Sequence, residues 1–492
     1  MQSNRRVAAN SDALNITRTT PYLKPARGLK IAHVGTYPPR KCGIATYTQD
    51  VVSAVHAATP AAPPQVVAMT APDDTVEYGW PVQWRIRQDD PEDYEAVAAQ
   101  VRASGADLVS IQHEHGIFGG EEGDLLNRFV DALGDIPVVT TLHTVLPKPS
   151  ESIIRALRGV VRRSARIVVL NSKAIPLLAD AYGIDTAKVV VIPHGTPEVD
   201  PSRRTVVRQS LGVAGRTVLS TFGLLSPGKG LEHAIGAVAQ VAPRHPDLHY
   251  YILGATHPGV VRHSGESYRD GLAEQARQAG IADRVHFVNE YLSLDALTDW
   301  LLATDVYVTP YLNPDQIVSG TLAYAVAAGK AVISTPYLHA QDLLEDGRGM
   351  LTPFADPAAL AANLDDLLRS PARRAAMEQA AWRFGEQSAW PQVARRYWEV
   401  FCAAVGRSAG EAPVVTSGRN RMERSGAVSN NGTAAAAVRA SMTESGLLER
   451  AAQEDEELEC SVAPPPPAAQ QRESHRRNAS GGSTTPTRPD RR

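Results

Sequence analysis

The sequence predicts an α/β protein made of two facing, doubly wound domains. Short apolar runs alternate with amphipathic stretches of helical period through the middle of the chain, the pattern of parallel strands with helices on both sheet faces. The runs fall into a first series of six and a second of five, as two sheets in tandem would give. The stretch from residue 29 to 405 is also long enough to bury two cores.

The first series reads Lys30–Val34, Gln65–Met69, Leu108–Gln112, Pro137–Leu142, Ile167–Leu170 and Val189–Ile192. The second reads Val218–Phe222, His249–Leu253, Val285–Val288, Val306–Thr309 and Ala331–Ser334. Helical stretches at Ile44–Ala57, Tyr94–Ala103, Leu231–Ala242, Tyr268–Ala279 and Ala358–Leu368 lie between or after them. The spacing places a first domain at 29–200 and a second at 201–385, joined near Pro197–Val206. Ligands of such sheets sit beyond the carboxyl ends of the strands, so the cleft between the domains is the expected site.

The flanks read differently. Residues 1–28 mix Asn, Ser, Thr, Arg and Pro without periodicity and predict a flexible head. Residues 406–492 turn to Ser, Gly, Ala, Pro and Arg around Pro464–Pro467, a low-complexity tail unable to bury a core. Within it, Thr433–Leu458 is rich enough in Ala, Leu and Glu for a marginal helix.

Composition excludes several function classes. Of 492 residues, 43% are hydrophobic and the net charge is −3, so no overall basic field recruits nucleic acid. No apolar run reaches the 18 or so residues of a membrane span. The first 28 residues lack the apolar core of a secretory signal. Cys42, Cys402 and Cys460 are widely spaced and odd in number, which argues against a disulfide framework and for a reducing, cytoplasmic setting.

The chemistry-bearing residues lie at strand ends. The first strand leads into Gly35-Thr36-Tyr37-Pro38-Pro39-Arg40-Lys41-Cys42-Gly43, where Gly43 opens a helix whose free amides suit an anion. The third runs into Gln112-His113-Glu114-His115-Gly116. His113 and His115 point to one face of an extended chain, but no H-E-x-x-H or third ligand is nearby, so a polar wall of the cleft is favoured over zinc. The fourth ends in Thr141-Leu142-His143-Thr144. In the second domain, Gly228-Lys229-Gly230 precedes a helix. A cation there opposes the helix dipole by about 0.3–1 kcal/mol unless an anion is present. Asp315-Gln316 leads to Ser319-Gly320-Thr321-Leu322, which would open another helix and present amides and two hydroxyls to the same cleft. Two anion-ready helix ends fit a diphosphate. Arg155, Arg158, Arg162, Arg163 and Arg166 crowd Ser150–Arg166, with the first three on one helical face. They suggest either a solvated surface or peripheral contact with anionic lipid at the inner membrane face.

In this order the motifs resemble the retaining, nucleotide-sugar-dependent group 1 (family 4-like) glycosyltransferases of GT-B fold, over roughly residues 29–405. The resemblance rests on the Gly43 loop, Thr-Leu-His143-Thr, Pro193-His194-Gly195, Gly223…Lys229-Gly230 and Ala325…Gly329-Lys330…Ile333. Ala389-Trp390…Tyr397-Trp398-Glu399-Val400-Phe401 is similar to the family's closing helix, placed here at 386–405. The chain departs from the pattern at Leu224, where the family usually has Arg, and at Gln316 and Tyr324, where it has two Glu.

The resemblance implies transfer of a mannose- or glucose-like hexose from a nucleotide diphosphate sugar to a carbohydrate or lipid-linked acceptor, with no metal and no resident cofactor. It implies donor contacts at Gly43, Gly223, Lys229, Asp315, Gln316, Ser319, Gly320, Thr321, Leu322 and Tyr324. The catalytic set would be His143, Lys229 and Gln316, and His113, Glu114 and His115 would shape the acceptor pocket. Lys229 and the Ser319–Leu322 amides would stabilise the leaving phosphate, whose oxygen takes the acceptor proton. A GT-B glycan phosphorylase and a non-catalytic sugar-nucleotide binder are the alternatives.

Overall fold

Two parallel sheets stand side by side, each sandwiched by helices. The computed structural model describes residues 28–407, Lys41 and residues 72–75 excepted. The expected tail, its helix at Thr433–Leu458 and nearly all of the expected head lie outside the described residues. In the first lobe the strands are β1 (Ile31–Gly35), β2 (Gln65–Thr70), β3 (Val82–Arg87), β4 (Leu108–His113), β5 (Val138–Leu142), β6 (Ser164–Val169) and β7 (Val189–Val191). They lie in the order β3-β2-β1-β4-β5-β6-β7. The second lobe holds β8 (Thr217–Phe222), β9 (Leu248–Leu253), β10 (Val285–Val288), β11 (Val306–Thr309), β12 (Ala331–Ser334) and β13 (Met350–Leu351), ordered β10-β9-β8-β11-β12-β13.

Each sheet therefore reverses direction once, between β1 and β4 and between β8 and β11. Such switch points open a crevice at the carboxyl ends of the strands. The sheets have seven and six strands where the sequence predicts six and five. The additions, β3 and β13, are both edge strands. On β3, Gln83, Arg85 and Arg87 are exposed and alternate with more buried neighbours, and that alternation hid it from a search for continuous apolar runs.

Local chemistry sets the helix boundaries. The helix Gly43–Ala58 is capped by Cys42 and buries Ile44, Ala45, Tyr47, Thr48, Val51, Val52 and Val55 along one stripe. The helix Pro91–Ala103 begins ahead of the expected Tyr94 because Asp90 accepts from the Glu92 amide and Pro91 occupies the first turn. The expected single closing segment at 386–405 is broken. One helix, Pro371–Ser388, ends at Ala389, whose backbone is extended, and a second, Trp390–Ala404, begins there with Pro391 in its first turn.

That last helix returns to the first lobe. Val393, Tyr397, Trp398 and Phe401 pack with Leu29, Ile31, Tyr47 and Val51 in one buried cluster. The two chain crossings between lobes lie side by side: the Thr196 amide donates to the Ser388 carbonyl at 2.9 Å, and the Trp390 amide to the Thr196 carbonyl at 3.0 Å. Gly195 sits beneath the Trp390 indole, where a Cβ would come within 2.3 Å of the ring. Among the described residues, no helix is long and apolar enough to cross a membrane.

Candidate active site

The first lobe presents the ends of β1, β4 and β5. Cys42 caps the helix that follows β1: its Sγ accepts from the Ala45 amide at 3.3 Å and shares a 3.3 Å hydrogen bond with the Thr36 hydroxyl. Among the described residues the Gly43 amide makes no hydrogen bond, as an anion-ready helix end requires. Beyond β5 the His143 amide extends the ladder by donating to the His113 carbonyl at 3.0 Å. The His143 Nε2–H donates to the Gln112 Oε1 at 3.0 Å, which leaves Nδ1 as the lone-pair nitrogen. Burial first, and then His194, push this imidazole down to about 3, so it acts at neutral pH as an uncharged, oriented ring.

The stretch after β4 is less uniform than expected. His115 opens a short turn, yet its ring lies 5.1 Å from that of His113. His113 Nδ1 and His115 Nε2 are sealed from solvent and have no hydrogen-bond partner among the described residues. Burial, then His115 and His143, hold His113 well below the usual histidine range. Glu114 is spent internally: Oε1 accepts from the His115 amide at 3.0 Å and Oε2 from the Thr144 hydroxyl at 2.7 Å. Although burial raises its pKa, its place is that of a clip between the ends of β4 and β5 rather than of an open acceptor contact. Among the described residues no third side chain joins the two histidines as a metal-ligand set.

The second lobe supplies the cation. Pro227–Lys229 forms one 3-10 turn, and Gly230 then takes a left-handed conformation, φ 59°, to start the helix Leu231–Val241. Any side chain there would be strained and would also meet the Pro310 carbonyl at 2.2 Å. The Lys229 Nζ lies 4.5 Å above the Tyr311 ring. Gly223, at the end of β8, faces Thr321, whose Cγ2 would lie 3.3 Å from an added Cβ. Lys229, Tyr311, Phe222, Gly223 and Leu224 line one small cavity.

Ser319 opens the helix Gly320–Ala327 as expected, but its groups are not all free. Its Oγ accepts from the Leu322 amide at 3.3 Å. Its own amide donates to His339 Nδ1 at 2.7 Å. Thr321 Oγ1 shares hydrogen bonds with the Tyr311 hydroxyl at 2.8 Å and Ser319 Oγ at 3.1 Å. Two amides of the expected cradle, those of Ser319 and Leu322, are thus committed within the lobe, and the Gly320 and Thr321 amides have no partner among the described residues. Gln316 folds back on its own loop, donating to the Val318 carbonyl at 3.0 Å, and Asp315 is exposed.

Rings close the space between the lobes. Tyr47 packs edge-on against His143 at 4.7 Å and His194 at 4.9 Å. His194 lies 5.9 Å from Tyr324, and Tyr324 lies 6.3 Å from Phe222. His194 Nδ1–H donates to the Gly195 carbonyl at 2.8 Å, and its Nε2 lies about where a Cβ on Gly320 would be crowded, at 3.1 Å. Asn171 Nδ2 adds a bond to the Ile317 carbonyl at 3.2 Å, and Lys173 pairs with Glu345 at 3.2 Å.

The structure thus brings His113, Glu114, His115 and His143 to one rim, and Gly223, Lys229, Ser319, Gly320, Thr321 and Tyr324 to the other. Sequence reasoning gave no role to Tyr47, Asp50, His194 or His339. His194 stood inside a recognised motif. His339 left no signal, because its partner Ser319 is 20 positions away. The arginine-rich helix Glu151–Arg163 is largely engaged within its own lobe: Arg158 Nε donates to the Tyr182 carbonyl at 2.5 Å, Arg163 bonds the Val130 and Gly134 carbonyls, and Arg155 meets Glu121 at 3.4 Å.

Two family models match this chain. Residues 47–199 match "Glycosyltransferase Family 4" and residues 216–370 match "Glycosyl transferases group 1". The chain belongs to the group 1 glycosyltransferases. As a group 1 glycosyltransferase it is 29% identical over 333 residues to D-inositol 3-phosphate glycosyltransferase of Kineococcus radiotolerans, covering 62% of this chain and 73% of that one. It is 26% identical over 310 residues to 2-deoxystreptamine glucosyltransferase of Streptomyces kanamyceticus, covering 57% and 74%. The fold of this glycosyltransferase is similar to that of Anabaena HepE, solved with UDP, at a TM-score of 0.61 and 19% identity, covering 76% of this chain and 100% of HepE. It is equally similar to sucrose-phosphate synthase of Thermosynechococcus elongatus, at a TM-score of 0.61 and 17% identity, covering 77% and 99%. The architecture is GT-B.

Proposed function

We propose that this glycosyltransferase moves a mannose- or glucose-like hexose, with retention of configuration, from a nucleotide diphosphate sugar to a hydroxyl of a carbohydrate or glycolipid acceptor. The observation that carries the reading is that Lys229 stands over the Tyr311 ring while the Tyr311 hydroxyl bonds Thr321, which gathers the lysine and the uncommitted Gly320 and Thr321 amides at the carboxyl ends of the second sheet. In a site screened from water, such preorganised donors stabilise charge developing on a leaving diphosphate. They take the place of the guanidinium that Leu224 lacks.

The remaining groups fit defined roles. His143, uncharged and locked by Gln112, orients the donor sugar from the first lobe. The edge-on pair of His113 and His115 rings shapes the acceptor side of the cleft. The leaving phosphate oxygen takes the acceptor proton, and closure of the lobes excludes water. This scheme routes no step through a metal ion.

The test is nucleotide release from UDP- and GDP-sugars by EDTA-treated protein, with and without candidate acceptors, and the product anomer read by NMR. Acceptor-dependent release with a retained anomer is the expected result. Nucleotide binding without turnover would instead favour a non-catalytic binder, the alternative motivated by Leu224, Gln316 and Tyr324.

A further inference from the structure

One half-buried acid takes no part in this scheme. Asp50 lies one turn beyond Tyr47 on the helix Gly43–Ala58. The ring contacts from Tyr47 to His194 and from His194 to Tyr324 bring that turn up to the second lobe. Burial and then the Asp50 charge hold the Tyr324 phenol above its usual range, and the same two causes in the same order raise Tyr37 on Asp50's own side. The carboxylate therefore stands within electrostatic reach of both walls of the cleft.

Among the described residues Asp50 has no hydrogen bond and no ion pair, and burial alone lifts its pKa to about 6. Glu114, by contrast, is satisfied by two donors. A half-buried carboxylate without donors is costly, and an anionic ligand group would make the cost larger. A ligand part that suits it is neutral and offers O–H donors. A vicinal diol offers two, one for each carboxylate oxygen, while the neighbouring ring faces pack against its C–H groups.

We propose that Asp50 accepts hydrogen bonds from a vicinal diol of the bound ligand while Tyr324 closes on the same diol from the opposite lobe, so that the ligand draws the lobes together. This rests on the donor reading above. The diol belongs either to the ribose of the nucleotide or to a pyranose.

The test compares full-length wild type with Asp50→Asn and Tyr324→Phe by calorimetric titration with UDP, GDP and their 2′- and 3′-deoxy forms, and by kinetics with the matching nucleotide sugar. Asp50→Asn removes a buried charge, so its melting temperature should hold or rise. Its affinity or KM should worsen about tenfold, the effect of one charge-assisted hydrogen bond, with Tyr324→Phe weakening the same ligand. If the loss appears with UDP or GDP and vanishes with a deoxy form, the diol is the ribose. If diphosphate binding is untouched and the KM for the sugar donor or acceptor rises, it is a pyranose. An Asp50→Asn protein that binds and turns over like wild type overturns the proposal and leaves the glycosyltransferase reading intact. A wild-type protein that binds no nucleotide overturns that reading, and this inference with it.

Discussion

The hydroxyl of Tyr47 meets the hydroxyl of Tyr397 at 3.0 Å, and Tyr397 in turn reaches Thr141 Oγ1 at 3.1 Å. This buried relay fastens the last helix to the first helix and to β5. Tyr397→Phe leaves two buried hydroxyls short of a partner, a loss of about 1–3 kcal/mol. The thermal midpoint should fall. Tyr47→Phe with Tyr397→Phe should cost less than the two single changes added together, since the double change removes both partners. Additive losses would show that the hydroxyls act independently.

Among the described residues, Lys229 is the cation that lines the proposed leaving-group site. Lys229→Ala should reduce transfer by an order of magnitude or more, equivalent to at least about 1.4 kcal/mol of transition-state stabilisation. Because the side chain is half-buried over Tyr311, the melting temperature should change little. Turnover assayed by nucleotide release decides it, and wild-type rates in this variant would remove Lys229 from the reaction.

Gly195→Ala should loosen the joint between the lobes. The new methyl would sit within 2.3 Å of the Trp390 ring, and overpacking of that kind typically costs about 1–3 kcal/mol. Limited proteolysis should find new cleavage near residues 388–390, together with a lower melting temperature.

Acid should destabilise the protein from mildly acidic pH downward. Burial holds His143 and His339 down to about 3 and His56 and His194 to about 4. The unfolded chain takes up those protons from about pH 6.5, and the folded chain does so only near pH 3–4. Stability is therefore fully present above 6.5 and is lost as pH falls through that window. Asp50, lifted to about 6, has the opposite sign: its contribution is present below about pH 4 and is lost as pH rises toward 6. Four rings outweigh one carboxylate, so the melting temperature should drop between pH 6.5 and 4. Asp50→Asn should make that drop steeper, because the compensating acid is gone.

The sheets were legible where burial on both faces wrote continuous apolar runs, as in β4 and β11. β3 was not, because its outer face meets water and carries Gln83, Arg85 and Arg87. At the site, the helix start at Ser319 could be read from local residue chemistry, since a cap depends on neighbours a few positions away. The fate of its hydrogen bonds could not. His339 takes the Ser319 amide and Tyr311 takes the Thr321 hydroxyl, and both partners are set by how β11 and β12 lie in the sheet. Tyr324 shows the same limit: its contact with His194 depends on how the lobes meet.

The packing of Val393, Tyr397 and Phe401 against Leu29, Ile31 and Val51 has a consequence for biosynthesis. The amino-terminal half leaves the ribosome first, yet its hydrophobic interior is incomplete until the segment ending at Ala404 has emerged. The half that follows has its six strands, β8 to β13, within 217–351, and its core is filled by Leu360, Leu364, Met377 and Ala381, all ahead of Trp390, so it can close first. Assembly should thus proceed out of chain order, and truncation before Trp390 should unfold the end of the molecule that the deletion does not touch.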